Sequence, residues 1–207
     1  MSVSRETLLG LYFKGRVPEI ERFAEILATR GIERGVIGPR EADRIWDRHI
    51  ANCIPVTTLI KEGSSVVDIG SGAGLPGIVL ALARPDLTIT LIEPLQRRVD
   101  FLVEVVAELN LPIMVVRGRA EIIKGSFNVV TARAVAPLVK LIPMVWHLIA
   151  PKGSLLAIKG ESAQKELDEV LAIGRKKGSD LKLHTLTFEA PLQDLGPARI
   201  IEVFKVS

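Results

Sequence analysis

The chain of 207 residues is 48% apolar and 25% charged, the composition of a globular protein that can bury one sizeable core with a small appendage. No apolar stretch approaches the roughly 18 to 20 residues that a membrane-spanning helix needs, and Cys53 alone leaves neither an intrachain disulfide nor a thiolate metal cluster, so no metal site is expected. A net charge of +3 and a pI near 9.1 admit an anionic partner, whereas 4% aromatic residues argue against a base-stacking platform; nucleic acid would be held mainly through its phosphates.

The opening residues MSVSRETLLGLYFKG carry one early arginine, a very short apolar patch and no small-residue cleavage site, so they do not read as a signal peptide. Together with the single cysteine this predicts a cytoplasmic protein without a membrane partner. Up to about residue 62 the pattern is helical, and 1–62 is read as a helical extension packed on a main domain spanning 63–207. After Pro18, Ile20, Phe23, Ala24, Ile26 and Leu27 share one helical face. Gly31 and RGVIGPR punctuate the chain. In READRIWDRHIANC, Ala42, Ile45, Trp46, His49, Ile50 and Cys53 again share a face, with Asp43, Arg44, Asp47 and Arg48 largely opposite.

From residue 63 short apolar runs alternate with amphipathic segments. Strands are predicted near 65–69, 87–92, 113–117, 127–131 and 153–158, and helices near 76–84, 95–109, 119–123, 137–149 and 161–176. This alternation predicts an α/β fold with a mostly parallel sheet and helices on both faces, because parallel neighbours need a crossover. The end breaks the rhythm: LKLHTLTFEA and ARIIEVFKV are separated only by PLQDLGP, so they should pair as an antiparallel hairpin. The basic run GRKKG at 174–178 reads as a solvated helix end.

The stretch VVDIGSGAGLPGIVLALARPD places a glycine crook directly after the first strand, where ligands bind in an open parallel sheet. Gly70, Gly72 and Gly74 suit positive backbone angles and let main-chain amides approach a ligand. Residues 72–77 also satisfy the dinucleotide pattern G-x-G-x-x-G, with Glu93 about twenty residues on to accept ribose hydroxyls. Against a dinucleotide, the glycines begin earlier, in D-x-G-x-G-x-G from Asp68, and Pro76 sits where a pyrophosphate would need free amides. S-adenosylmethionine has no phosphate to place there, and the terminal hairpin fits the seven-stranded sheet of Rossmann-like class I methyltransferases.

The later strand ends narrow the acceptor. Position 131 onward reads TARAVAP rather than the acid- or asparagine-proline-proline run common among enzymes that methylate exocyclic base amines. Cys53, the only thiol for pyrimidine-carbon chemistry, sits on an apolar helix face where an inert thiol is expected. An acceptor with an exposed lone pair, such as a ring nitrogen, is left; it needs orientation more than a base. A small-molecule methyltransferase, a nicotinamide-dependent oxidoreductase and a noncatalytic RNA-binding module are the alternatives.

IGPREADRIWDRHI, VVDIGSGAGLPGIVLA, LIEPLQRRVDFL, VRGRAE, TARAVAPLVKL, LLAIKGE and ARIIEVFK together resemble the ribosomal small-subunit guanine-N7 methyltransferases, the glucose-inhibited division protein B family. The resemblance implies S-adenosylmethionine as cofactor and one guanosine in the decoding-region loop of 16S ribosomal RNA, naked or in the small subunit, as substrate of a monomer. Asp68, Gly70, Gly72, Leu75, Glu93, Ala120, Glu121 and Arg133 would form the cofactor site. His49, Arg133, Lys159 and Arg199 would form a positive rim for RNA, with Arg133 and Lys159 serving catalysis. The chain departs from the family at Asn52 and Cys53, where many members have an aspartate and a serine, and it lacks an NLT-type sequence near GVIGPRE.

Overall fold

The computed structural model describes residues 4–177, 182–188 and 197–205. The chain begins with α1 (Arg5–Tyr12), capped by the Ser4 hydroxyl, which accepts from the Thr7 amide. Next comes α2 (Val17–Ile26), with Pro18 in its first turn and a wider π-type turn at its end, Leu27–Gly31. Ile20, Phe23, Ala24, Ile26 and Leu27 are all buried, as their spacing predicts. Burial of Phe13 and Phe23 contributes about 1.5–3 kcal/mol each.

Residues 39–53 keep the predicted face but not the predicted winding. Asp43, Arg44, Asp47 and Arg48 are exposed and Ile45, Ile50 and Cys53 buried. The backbone, however, is 3-10 over Pro39–Arg44, π-type over Ile45–Ile50 and 3-10 again over Ala51–Cys53. A tight stretch followed by a wide one averages near the α period, so the face survives. A short helix, α3 (Ile54–Thr57), then leads to the sheet.

The alternating part runs β1 (Ser65–Ile69), α4 (Gly77–Ala83), β2 (Thr88–Glu93), α5 (Gln96–Glu108), β3 (Ile113–Arg117), β4 (Phe127–Arg133), α6 (Leu138–Val145), β5 (Ile149–Lys159) and α7 (Ala163–Lys177). The hairpin of β6 (Lys182–Phe188) and β7 (Ala198–Phe204) closes it. The sheet has seven strands in the order β3-β2-β1-β4-β5-β7-β6. The first five strands pair parallel; β7 runs antiparallel to both β5 and β6, Lys159 opposite Arg199.

Successive strand residues face opposite layers. Val66, Leu91, Leu156 and Ile200 pack under the first sixty residues, α4 and α5, while Val67, Ile92, Leu155 and Ile201 pack against α6 and α7. Both faces are therefore covered, as a parallel sheet requires. Strand order reverses between β1 and β4, so their carboxyl ends frame a crevice. Among the described residues no helix is long and apolar enough to cross a membrane.

Two predicted elements differ. Residues 119–123 form a turn, Ile122 amide to Arg119 carbonyl at 3.1 Å, not a helix; five residues cannot offset the unpaired groups at both ends of so short a helix. The helix predicted over 137–149 stops at Val145, passes through a 3-10 turn at Trp146–Leu148, and gives Ile149 to β5, where it pairs with Phe127. The connection 191–196, and the basic side chains of the run at 174–178, lie outside the described residues.

Candidate active site

The crook after β1 is held by buried polar groups. Gly70, Gly72 and Gly74 have φ of 62°, 57° and 88°, the left-handed region that disfavours a side chain. The Ser71 amide donates to the Ile92 carbonyl at 3.1 Å and the Gly72 amide to Glu93 Oε2 at 3.0 Å. Two buried carboxylates brace this loop. Glu93, 1% exposed at the end of β2, accepts from Gly72 with one oxygen and from the Leu95 amide with the other at 3.0 Å.

Asp68 is 0% exposed; its Oδ2 accepts from the Gly77 amide at 3.1 Å and its Oδ1 from the Thr131 hydroxyl at 3.2 Å. Burial pushes its carboxyl up to about 7, although the Gly77 amide, the Ser71 and Thr131 hydroxyls and the Arg133 charge all pull it down. Asp68 was expected among the cofactor contacts. It instead sits behind the loop, its oxygens turned to protein donors, and acts by fixing the crook.

These bonds decide which ligand the crook suits. At the start of α4 the Gly77 amide is taken by Asp68 and the Ile78 amide by the Gly74 carbonyl at 2.8 Å, while Pro76 has no amide hydrogen. A pyrophosphate would find the first two amides of the helix already engaged. An added Cβ at Gly72 would meet only the Gly70 carbonyl, at 3.7 Å, so that position faces open space. At Gly77 a Cβ would stand 2.2 Å from Leu91 Cδ2, showing that this glycine serves close helix-to-strand packing.

Two hollows flank Gly70. One, of about 190 Å³, is lined by Ile69, Ile92, Gly118, Ala120, Glu121 and Met144 among others, an apolar slot with a carboxylate at its edge. The other, of about 250 Å³, is lined by Gly70, Gly72, Leu75, His49, Arg98 and Arg133 among others. Glu93 lines neither; beside the two amides its Oε2 faces the Arg98 guanidinium at 3.8 Å, and only the remaining lone pairs are left to offer. An apolar slot for a flat base, a glycine floor and a polar far end fit S-adenosylmethionine.

Beyond Arg133 the crevice widens into a cleft of about 880 Å³ that gathers His49, Arg133, Lys159 and Arg199, together with Arg44, Arg48 and Glu41. Arg133 and His49 belong to both the cleft and the Gly72 hollow, so the two spaces meet at this pair. His49 is neither a core histidine nor a free one. Arg133 Nη2 donates to its Nδ1 at 2.9 Å, and since a guanidinium only donates, Nε2 carries the proton and donates to Glu41 Oε2 at 2.9 Å. Burial and the Arg133 charge hold the ring's pKa below the ordinary histidine value, outweighing Glu41.

Lys159 donates to the Ala136 carbonyl at 2.7 Å and pairs with Glu166 Oε2 at 2.8 Å. Burial raises the Glu166 carboxyl, but Lys159, the Leu138 amide and the Ser162 hydroxyl outweigh it and hold it below the usual range. Cys53 is buried, its thiol donating to the His49 carbonyl, and burial pushes its pKa up to about 11, which disfavours a thiolate nucleophile. Glu41 and Glu166 carry no sequence pattern that singles them out; each is recognisable only by the cation it meets.

A seven-stranded sheet with an inserted antiparallel strand, a glycine crook whose first helix amides are already engaged and an acid-ended second strand define an S-adenosylmethionine-dependent methyltransferase. Solved structures agree on the fold: a methyltransferase from Pyrococcus furiosus matches with TM-score 0.60 at 17% identity, over 75% of this chain and 82% of that one. A ribosomal protein L11 methylase from Lactobacillus delbrueckii subsp. bulgaricus matches with TM-score 0.57 at 16% identity, over 75% of this chain and 77% of that one.

The particular family follows from sequence. The model of the GidB family, rRNA small subunit methyltransferase G, matches residues 16–186. Ribosomal RNA small subunit methyltransferase G of Mycobacterium sp. (strain JLS) is 53% identical over 76% of this chain and 72% of its own length. The protein of the same name from Acidothermus cellulolyticus is 50% identical over 89% of this chain and 83% of its own length. The chain belongs to the rRNA small subunit methyltransferase G family.

Proposed function

We propose that this enzyme methylates N7 of one guanosine in the decoding-region loop of 16S ribosomal RNA, acting as a cytoplasmic monomer on the RNA or the small subunit. Residues 63–207 are the catalytic domain, and 1–62 are an extension that supplies one cleft wall. The observation that carries the reading is the junction at Arg133, where a hollow suited to the donor opens directly into a cation-lined cleft.

When bound, S-adenosylmethionine supplies an electrophilic methyl group. Gly70, Gly72 and Leu75 would hold its amino-acid end, Ala120 and Glu121 its adenine, Glu93 its ribose and Arg133 the boundary with substrate. Guanine N7 is an exposed acceptor that carries no proton, so transfer needs no general base. The carboxylates of Glu41 and Glu166 are correspondingly engaged by the cations Arg48 and Lys159. Lys159, Arg199 and Arg133 supply phosphate contacts that fix the base in line with the methyl group, and orientation accounts for the rate.

The test offers labelled donor to unmethylated small subunits and maps the mark by N7-specific strand scission. A single scission site in the decoding-region loop is expected; label elsewhere, or none while the protein binds adenosylhomocysteine, overturns the assignment. In parallel, Arg133→Ala should weaken donor binding, transfer or both by about tenfold or more. Unchanged values for both remove Arg133 from the site.

A further inference from the structure

Most polar contacts of the extension run to α5 and Arg84, whereas one line of side chains reaches the end of a central strand. Glu41 Oε1 accepts from Arg48 Nη1 at 2.9 Å and its Oε2 from His49 Nε2 at 2.9 Å; His49 Nδ1 then accepts from Arg133 Nη2 at 2.9 Å. Glu41 stands in the 3-10 stretch, His49 in the π-type turn, and Arg133 at the last position of β4. The ring is largely shielded, its side chain 13% exposed and that of Glu41 22%. Its backbone is committed as well, the His49 carbonyl accepting from the Cys53 thiol at 3.1 Å.

We infer that Glu41 is a positioning residue, which holds His49 in the Nε2-protonated tautomer so that its Nδ1 lone pair anchors the Arg133 guanidinium at the junction of donor hollow and substrate cleft. The inference rests on the proposed placement of Arg133 in the donor site.

The chemistry is that of a three-member relay in which only the middle group has two neutral forms. A neutral imidazole has one donor and one acceptor nitrogen, and the partner on one side sets the role of the other. A carboxylate at Nε2 forces the proton there and leaves Nδ1 to accept. Without Glu41 the ring can place its proton on Nδ1, where it would face a guanidinium that only donates. Arg133 would then have to turn away.

Protonating the ring has the same consequence. A doubly protonated His49 presents N–H to Arg133 and adds a second positive charge beside it. The charged groups acting on the ring are Glu41 and Arg48 from its own segment and Arg133 from β4; Arg44, Lys159, Glu161, Glu166 and Arg199 line the same cleft. The neutral ring is the form that the folded site favours, so Arg133 stays anchored at neutral pH and is released as pH falls below the ordinary histidine range. Removing Glu41 takes away the carboxylate bonded to the ring, which favours its charged form, and this limb should move to lower pH.

The experiment uses the full chain, its Glu41→Gln and Glu41→Ala variants, and adenosylhomocysteine as probe. Imidazole nitrogen NMR of the free protein reads the His49 tautomer, and calorimetry between pH 5 and 8.5 reads affinity. The parent chain should show an unprotonated Nδ1 and an affinity that falls at acid pH. Glu41→Ala should give a mixture of tautomers, bind about three- to tenfold more weakly at pH 8, and shift its acid limb downward. Glu41→Gln keeps an acceptor for Nε2–H without the charge, so it should restore the tautomer while retaining the downward shift.

A parent chain with Nδ1 protonated, or a Glu41→Ala variant with unchanged tautomer and unshifted acid limb, overturns the inference even if that variant unfolds more easily. Should Glu41→Ala fail to fold, the limb of Glu41→Gln decides alone. Failure of the parent chain to bind adenosylhomocysteine would instead sink the donor site itself.

Discussion

The glycine crook and the cationic rim meet at Arg133 but are built on opposite principles. In the crook, Asp68 and Glu93 are 0% and 1% exposed, and their oxygens are bound to amides and a hydroxyl of the same few loops. On the rim, His49, Arg133, Lys159 and Glu166 are only partly buried and find partners on other elements, His49 and Arg133 from 84 residues apart. Fully buried polar groups lose heavily when a partner is removed, whereas those at the wall of an open cleft can fall back on water. The crook should therefore fail as structure, and the rim as function.

Asp68→Ala tests the first half most sharply. It strands the Gly77 amide in a buried site, leaves the Thr131 hydroxyl only the Val67 carbonyl at 3.4 Å, and should lower unfolding free energy by about 2–4 kcal/mol in urea denaturation. A loss below about 1 kcal/mol would mean that the loop holds itself.

The same carboxyl gives a pH signature. Its folded value, about 7, lies above the ordinary 3.8, so the folded state holds the extra proton between them and stability falls as pH rises through that window. Asp68→Asn, which has no proton to lose, should remove up to about 1 kcal/mol per pH unit of that slope. Parallel stability profiles for the two proteins would show that Asp68 is ionised in the fold throughout.

Gly72→Ala separates floor from brace. A left-handed alanine costs about 1–2 kcal/mol, and its methyl group would project into open space beside the hollow. Adenosylhomocysteine affinity should drop by at least about tenfold, the equivalent of ~1.4 kcal/mol. Equal affinity in calorimetry would place the ligand elsewhere.

On the rim, Lys159→Met should slow methyl transfer to small subunits by about tenfold with adenosylhomocysteine affinity unchanged. A parallel loss of donor affinity would make Lys159 part of the crook. Arg199→Ala should have the smallest effect, stability within about 0.5 kcal/mol and a few-fold rise in KM for RNA. A marked loss of stability would show that β7 depends on this side chain.

The two regions also differ in how much the sequence announced them. Asp68, Gly70, Gly72, Gly74 and Glu93 stand within 26 residues, and the backbone angles they adopt are those their spacing implied. The hairpin was equally visible, because two apolar runs with so short a connection admit only one pairing. The rim was read in part. His49, Arg133, Lys159 and Arg199 do line one cleft, but Glu41 and Glu166, which set the direction of two of them, were not foreseen. Asp68 was placed in contact with the cofactor, because a strand-end acid beside glycines can point either way.

By itself the sequence determined the alternation of strand and helix, the left-handed glycines and the missing amide hydrogen of Pro76 at the start of α4. These depend on φ preferences, on the two-residue and 3.6-residue periods, and on the missing N–H of proline, all properties of neighbours along the chain. Only the tertiary structure decided that Asp68 turns inward, that residues 39–53 wind unevenly, and that Glu41, His49 and Arg133 share a proton-bearing relay. Those outcomes depend on which polar group a side chain meets across the sheet, and desolvation makes that meeting energetically decisive only once the surrounding core has closed.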